Sequence, residues 1–328
     1  MPGMNRSGTT IVAGIDEAGY GPLLGPLVVS AAAMEVPAEA VNGCLWKYLR
    51  KSVTQKISAK DKRLVILDSK QVYTRQDGLG RLERGVLGAL HAWREIPAQL
   101  GDYIAAVSPE AQWALGAHPW YGDLSVNLPS DCDSGGVRIA GAGLRNNLES
   151  LNGKIAGMWA EILPEEKYNR MVKGTDNKAV VLLGLTLRLI QRIADAFPDR
   201  DIVIYVDKQG GRDHYARDLL RAFDGRQLRV IEEGSLHSAY ELAGPRGTWR
   251  VSFSQGGESK CLVTALASMI AKYTREMLMG CFNRWWNERL PTLVPTAGYY
   301  TDGVRFLKDV SPHLSKFGVR REQFVRER

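Results

Sequence analysis

Two adjacent carboxylates, Asp16 and Glu17, close an apolar β-type run, Ile11-Val12-Ala13-Gly14-Ile15. The glycine-proline turn Gly19-Tyr20-Gly21-Pro22 follows them. Neighbours on a regular strand point to opposite faces, so these acids share a site only where the strand ends, bulges or turns. Acids before such a turn also serve as ordinary solvated turn residues. A buried strand that delivers two like charges to its end nevertheless calls for a cation to hold them. A third acid, Asp207, ends another apolar run, Ile202-Val203-Ile204-Tyr205-Val206. The chemistry expected here is that of carboxylates around a hard cation.

Other chemistries find less support. The four cysteines, Cys44, Cys132, Cys261 and Cys281, are far apart and form no C-x-x-C, and the five histidines are scattered, which argues against a zinc site or disulfide framework. The net charge of +7 suits a polyanionic partner but does not by itself identify one. With 328 residues, 45% of them hydrophobic, the chain can bury a sizeable core in one large domain or two. No apolar run is long enough to span a membrane, and the opening MPGMNRSGTT lacks the apolar centre of a signal peptide. The expectation is a cytoplasmic, monomeric protein with no membrane partner.

The elements that must position the acids follow from periodicity. Residues 27–33 read as the strand next to the first, and 38–51 as a helix with Val41, Leu45 and Leu49 on one face. After Asp68-Ser69-Lys70, which caps a helix and presents a phosphate site at its start, residues 73–90 read as a basic helix. Residues 155–162 read as a strand, and 177–197 as a helix with Leu182, Leu185, Leu189 and Ile193 on its apolar face. Lys208-Gln209-Gly210-Gly211-Arg212 is either a hairpin or a loop where backbone approaches a ligand between two cations. A short helix at 214–223 leads to strands at 228–233 and 248–253, with 238–247 between them, and then to a long helix at 261–284. Residues 96–152 fit no compact pattern and are expected to be an inserted subdomain or lid. Asp131 and Asp133 within it lack the further ligands of a calcium loop and read as structural. Alternating strands and helices place the chain in the α/β class.

The run Gly14-Ile15-Asp16-Glu17-Ala18-Gly19-Tyr20-Gly21-Pro22, then Gly25-Pro26-Leu27-Val28-Val29, resembles the opening signature of the type 2 ribonucleases H. In that family it reads D-E-A-G-R-G-P and then G-P-V-V. Further motifs follow in the same order. Asp68-Ser69-Lys70-Gln71-Val72 is similar to the family's D-S-K-K-L. The stretch Thr264-Ala265-Leu266-Ala267-Ser268-Met269-Ile270-Ala271-Lys272-Tyr273-Thr274-Arg275-Glu276 is similar to its A-A-S-I-x-A-K-x-x-R-D helix, and Gly298-Tyr299-Tyr300-Thr301 to its G-Y-P-T. Ten positions before Ser268 stands Glu258, where most members carry aspartate. A helix start also favours an acid there through its dipole.

The resemblance implies a single catalytic domain over 1–328, built on a mixed five-stranded ribonuclease H-like sheet flanked by helices. Residues 96–152 would be an insertion and 285–328 a C-terminal helical part that contacts substrate. It implies that Asp16, Glu17, Asp207 and Glu258 hold two Mg²⁺ or Mn²⁺ ions, the hard cations that oxygen ligands select. It assigns substrate contacts to Gly19, Tyr20 and Gly21 at the ribose, Ser69 and Lys70 at the backbone, Lys208, Lys272 and Tyr299. The activity implied is cleavage of the RNA strand of RNA/DNA hybrids, leaving 5′-phosphate and 3′-hydroxyl ends. Tyr20 stands where the family has arginine and offers no guanidinium fork, so cleavage at single embedded ribonucleotides stays open. Two alternatives also stay open: a nucleic-acid-binding relative without catalysis, and a nuclease of the same superfamily acting on another structured nucleic acid. A dinucleotide site at Gly19-x-Gly21-x-x-x-Gly25 is disfavoured, since Pro22 interrupts the helix start and Asp16-Glu17 would repel a pyrophosphate. The basic tail, Lys308, Lys316, Arg320, Arg321, Arg326 and Arg328, either tracks phosphates or forms a solvated face.

Overall fold

In strand β1 (Thr9–Ala18), Ile11, Ala13 and Ile15 enter one apolar cluster while Val12 enters another. Such alternation, with both faces buried, marks a strand at the centre of a sheet covered on two sides. The computed structural model that shows this describes residues 8–74, 76–209 and 211–327, so Gly210 and Arg328 lie outside the described residues.

Strand β2 (Leu27–Pro37) runs antiparallel to β1. A separate parallel pair is formed by β3 (Val53–Thr54) and β4 (Leu64–Val65). Next come β5 (Lys154–Leu163), antiparallel to β2, and β6 (Ile202–Asp207), parallel to β1. The last three strands are β7 (Gln227–Glu233), β8 (His237–Gly244) and β9 (Gly247–Ser254). The large sheet has the order β5-β2-β1-β6-β9-β8-β7, with β9 parallel to β6. This is the expected ribonuclease H-like mixed sheet, but among the described residues it has seven strands instead of five. Residues 238–247, read from sequence as a connection, supply most of β8: Ser238, Tyr240 and Leu242 are buried on one face, and Gly244 pairs with Gly247 to close a tight hairpin. Its serine and alanines hid the alternation.

Twelve helices cover the sheet among the described residues. The expected helix at 38–51 is broken: a 3₁₀ turn at Ala38–Ala40 and the short α1 (Leu45–Tyr48) flank Asn42-Gly43, both poor helix formers. Helix α2 (Ser69–Val72) is capped by the Asp68 carboxylate, which accepts from the Lys70 N–H, and α3 (Gly80–Trp93) begins later than expected, after a turn through Gly78 at φ +72°. Residues 96–152, which showed no compact pattern in sequence, contain three helices. They form α4 (Leu100–Val107), α5 (Ala111–Gly116) and α6 (Ser134–Glu149), and they bury Tyr103, Ile104, Trp120, Tyr121 and Leu144 in the same cluster as the central sheet. Asp131 and Asp133 there are structural, accepting from the Leu79 and Gly136 N–H groups.

On the opposite face lie α7 (Glu165–Thr175) and α8 (Lys178–Ala196), whose Leu182, Leu185, Leu189 and Ile193 meet Ile11, Ala13 and Ile15 of β1. Helices α9 (Ala216–Ala222) and α10 (Gly257–Lys260) are short. Helix α11 (Leu262–Arg289) lies directly on β1, where a side chain at Gly14 would collide with the backbone of Val263 and Thr264. Helix α12 (Tyr300–Val310) follows it. No helix among the described residues is long and apolar enough to cross a membrane.

Candidate active site

The parallel register pairs Ile15 with Val206, which puts Asp16 and Asp207 side by side at the carboxyl ends of neighbouring strands. Asp207 in turn pairs with Ser254 at the end of β9. The chain then turns through Gly256 at φ +65°, and the Gly257 N–H donates to Asp207 Oδ1 at 2.8 Å. That bond brings Glu258, the next residue, beside Asp207, close enough for its charge to raise the Asp207 pKa. Three acids from distant parts of the chain thus reach one sheet edge. Glu17, still within β1, lies close enough to Asp207 and Glu258 to feel both charges.

The electrostatics show the strain of that gathering. Burial, then the charges of Glu17 and Asp207, hold the Asp16 carboxyl well above its usual range. Burial first and Asp207 second push Glu17 up to about 7. Asp207 is raised to about 6, chiefly by burial, with Glu258 adding to it. Lys70 is the nearby cation: burial disfavours its ammonium, but Asp68, Glu258, Asp16 and Asp207 together raise its pKa.

A serine missed by the sequence reading completes the support. Ser268 on α11 stands beside Asp16 and favours its ionised form, and its hydroxyl lies 2.9 Å from that of Ser69 at the start of α2. In this pair either hydroxyl can be the donor. Ser268 read as a small packing residue in a helix that is buried nearly all round, and nothing in its type distinguished it from the neighbouring alanines.

The loop after the acids has its own supports. Gly19 sits at φ +87°, and a Cβ there would come within 2.6 Å of both the Pro26 carbonyl and Arg275 Nε, so only glycine fits. Tyr20 is partly buried beneath Lys178, whose Nζ lies 5.1 Å from the ring centre, and Gly21 is exposed. Tyr299 is exposed, with Arg275 at 5.6 Å and Lys272 at 6.0 Å from its ring centre. Lys272 also pairs with Glu276 at 2.7 Å. Arg275 links this group to Gly19, so Tyr299 and Lys272 stand beside the loop. Lys208 is placed differently from the sequence expectation: its ammonium is buried and bonded to Asp213 and the Gly234 and Ser235 carbonyls, which makes it a brace. Asp302, near the tyrosine, is a structural acid bonded to Thr296, the Ala297 N–H and Arg305.

The donor set suits a hard divalent cation. Four carboxylates with no thiol or imidazole among them match Mg²⁺ or Mn²⁺, and the buried Glu258 Oε2 has no hydrogen-bond partner. Among the described residues no three acids, imidazoles or thiols close tightly enough to form a metal cage by themselves.

No family model matches the chain. Among solved structures it is similar to the RNase HII of Archaeoglobus fulgidus, determined in complex with PCNA, at 17% identity over 97% of this chain and 94% of that one, with a TM-score of 0.42. It is similar to ribonuclease H2 of Pyrococcus horikoshii OT3 at 14% identity over 96% and 92%, TM-score 0.41. It is also similar to Bst-RNase HIII in complex with Mn²⁺ at 16% identity over 98% of this chain and 67% of that one, TM-score 0.45.

Proposed function

We propose that the chain is a divalent-metal-dependent endonuclease that hydrolyses the RNA strand of RNA/DNA hybrids. The observation that carries this reading is the placement of Asp16 and Asp207 side by side at neighbouring strand ends, with Glu17 and Glu258 near enough for their charges to act on the pair. Like charges gathered at such expense are stabilised by bound cations. Bound Mg²⁺ or Mn²⁺ would supply a water nucleophile at neutral pH and charge neutralisation at the scissile phosphate. Asp16 and Glu258 would hold the ions most directly, with Glu17 and Asp207 completing the ligand set.

The chain's own residues do the rest. Ser268, paired with Ser69, sets a hydroxyl beside Asp16 that favours its ionised form. Lys70 sets a positive charge beside the acids, where a backbone phosphate of the substrate would lie. The exposed Tyr299 ring, flanked by Lys272 and Arg275, offers a surface on which a sugar packs. Backbone at Gly19-Tyr20-Gly21 faces the ribose, whose 2′-hydroxyl separates RNA from DNA. Tyr20 gives this loop no guanidinium, so hybrids with continuous RNA are the expected substrate in preference to duplexes with one ribonucleotide.

End-labelled hybrid, single-ribonucleotide duplex and all-DNA duplex, each with Mg²⁺ or Mn²⁺, test the assignment beside Asp16→Asn. The expected result is metal-dependent cutting of the hybrid, lost in the variant while its thermal melting still shows a folded protein. Undiminished cleavage by Asp16→Asn would sink the assignment, and hybrid binding without any cleavage would replace the enzyme with a binding protein.

A further inference from the structure

The loop at 19–26 is held by buried groups on its inner side. Arg326, 3% exposed, donates from Nη1 to the Gly19 carbonyl and from Nη2 to the Tyr20 carbonyl at 3.3 Å. Its own backbone N–H donates to the Leu23 carbonyl at 2.9 Å. Arg275, fully buried, donates to the Leu24 carbonyl at 3.1 Å, and the Gly298 carbonyl accepts from the Leu23 and Leu24 N–H groups. The segment carrying Arg326 is itself pinned. The Asn169 side chain on α7 donates to the Glu322 and Val325 carbonyls at 3.1 and 2.7 Å and accepts from the Glu327 N–H at 2.7 Å. The Arg326 guanidinium stacks 4.0 Å from the Tyr168 ring centre, and Phe324 is wedged between Trp120 and Trp286.

Peptide planarity gives this clamp a directional consequence. In a trans peptide the C=O and the following N–H point in opposite directions. With the Gly19 and Tyr20 carbonyls drawn inward to one guanidinium, the N–H groups of Tyr20 and Gly21 point outward. Neither N–H makes a hydrogen bond among the described residues. Guanidinium-to-carbonyl bonds are charge-assisted, and burial strengthens them further, so the orientation is held before any ligand arrives.

We propose that Arg326 is a positioning residue: by holding two carbonyls inward it presents the Tyr20 and Gly21 N–H groups as a preset pair of donors to an oxygen of the substrate's ribose-phosphate backbone. This rests on the hybrid-cleaving reading for the substrate but not for the clamp. Arg326→Ala frees both carbonyls, and the peptide planes lose their fixed orientation. Arg326→Lys keeps a charged donor for one carbonyl.

Amide hydrogen exchange across 19–26 in the protein alone, hybrid binding by fluorescence anisotropy, and KM and kcat on hybrid together test it. For Arg326→Ala the expected outcome is faster exchange confined to the loop and hybrid affinity weakened about tenfold. KM should rise by a similar factor with a smaller change in kcat, and Arg326→Lys should recover part of each. A purely structural role would lower melting temperature and leave KM and loop exchange unchanged at temperatures where the variant is folded; that result overturns the proposal. Should Arg326→Ala fail to fold, Asn169→Ala, which releases the segment but leaves the guanidinium, must show the same loop-confined exchange, and its absence overturns the proposal equally. If the wild type binds hybrid but cuts nothing, the nuclease reading falls, while exchange and affinity still decide the clamp.

Discussion

Ser268 stands 2.9 Å from Ser69 and favours the ionised form of the buried Asp16, so alanine at 268 removes the hydroxyl that supports that carboxylate. A hydrogen bond to a charged group contributes about 1.5–3 kcal/mol, and if half of that is lost from the support of Asp16, cleavage by Ser268→Ala falls about four- to tenfold. Steady-state kinetics on hybrid, with circular dichroism to confirm folding, measures this; unchanged kcat/KM would show that Asp16 is supported by other groups. The acids also dictate how the metal-free protein responds to pH. Asp16, Glu17 and Asp207 all have pKa values above those of free carboxylates, with about 7 and about 6 for the latter two. The folded state therefore binds more protons than the unfolded state, and its stability falls as pH rises through that window. Melting in a chelator should show a lower Tm at about pH 8 than at about pH 5, and Mn²⁺ added at the higher pH should raise it. A Tm insensitive to both would mean that the carboxylates are not crowded as described.

Glu35 in β2 ties the far end of the sheet together. It accepts from Thr9 of β1 and pairs with Arg200, just before β6, at 2.9 Å and with Lys154 of β5 at 3.2 Å. Against the cost of burial, the Thr9, Arg200 and Lys154 bonds lower its pKa to about 2. A depressed carboxylate stabilises the fold above its unfolded pKa and loses that contribution as pH falls through its folded one. Discounted for its partial solvent contact, Glu35→Gln should cost about 1–2 kcal/mol at neutral pH, with the deficit shrinking between about pH 4.5 and pH 2. Chemical denaturation at two pH values checks it. The elements joined here were legible in different degrees. Strands β1, β2 and β6 and helix α8 stood out because clean periodicity and turn residues bound them. Helix α11 was legible by resemblance more than by pattern, since burial on every side erases the apolar stripe. The acids Asp16, Glu17 and Asp207 could be picked out because each stands where an apolar run stops. Ser268 and Arg326 could not, because their roles depend on partners 252 and 307 positions away.

Residues 96–152 belong to the body of the molecule. Helix α6 packs on α3, Tyr103 stacks edge-on with Tyr273 of α11, and Trp120 meets Phe282, Trp285 and Phe324. Truncating one buried aromatic side chain of this size costs about 3–5 kcal/mol, so removing several exceeds the stability of an ordinary domain. A variant with 96–152 replaced by a short linker should fail to give a cooperative melt; a folded, active deletion would show the segment to be a dispensable lid.

The pairing of β1 with β6 joins residues nearly two hundred positions apart, Ile15 to Val206, with no intervening strand between them in the sheet. Contacts of such long sequence separation form late, because the entropy of closing the loop must be overcome before they stabilise anything. During refolding from denaturant, the first helical signal should therefore precede the cation affinity by a measurable interval. A nascent chain that has emerged only through β5 would carry Asp16 and Glu17 without Asp207 and Glu258, so the acid cluster cannot assemble until β6 and the segment after β9 have been made.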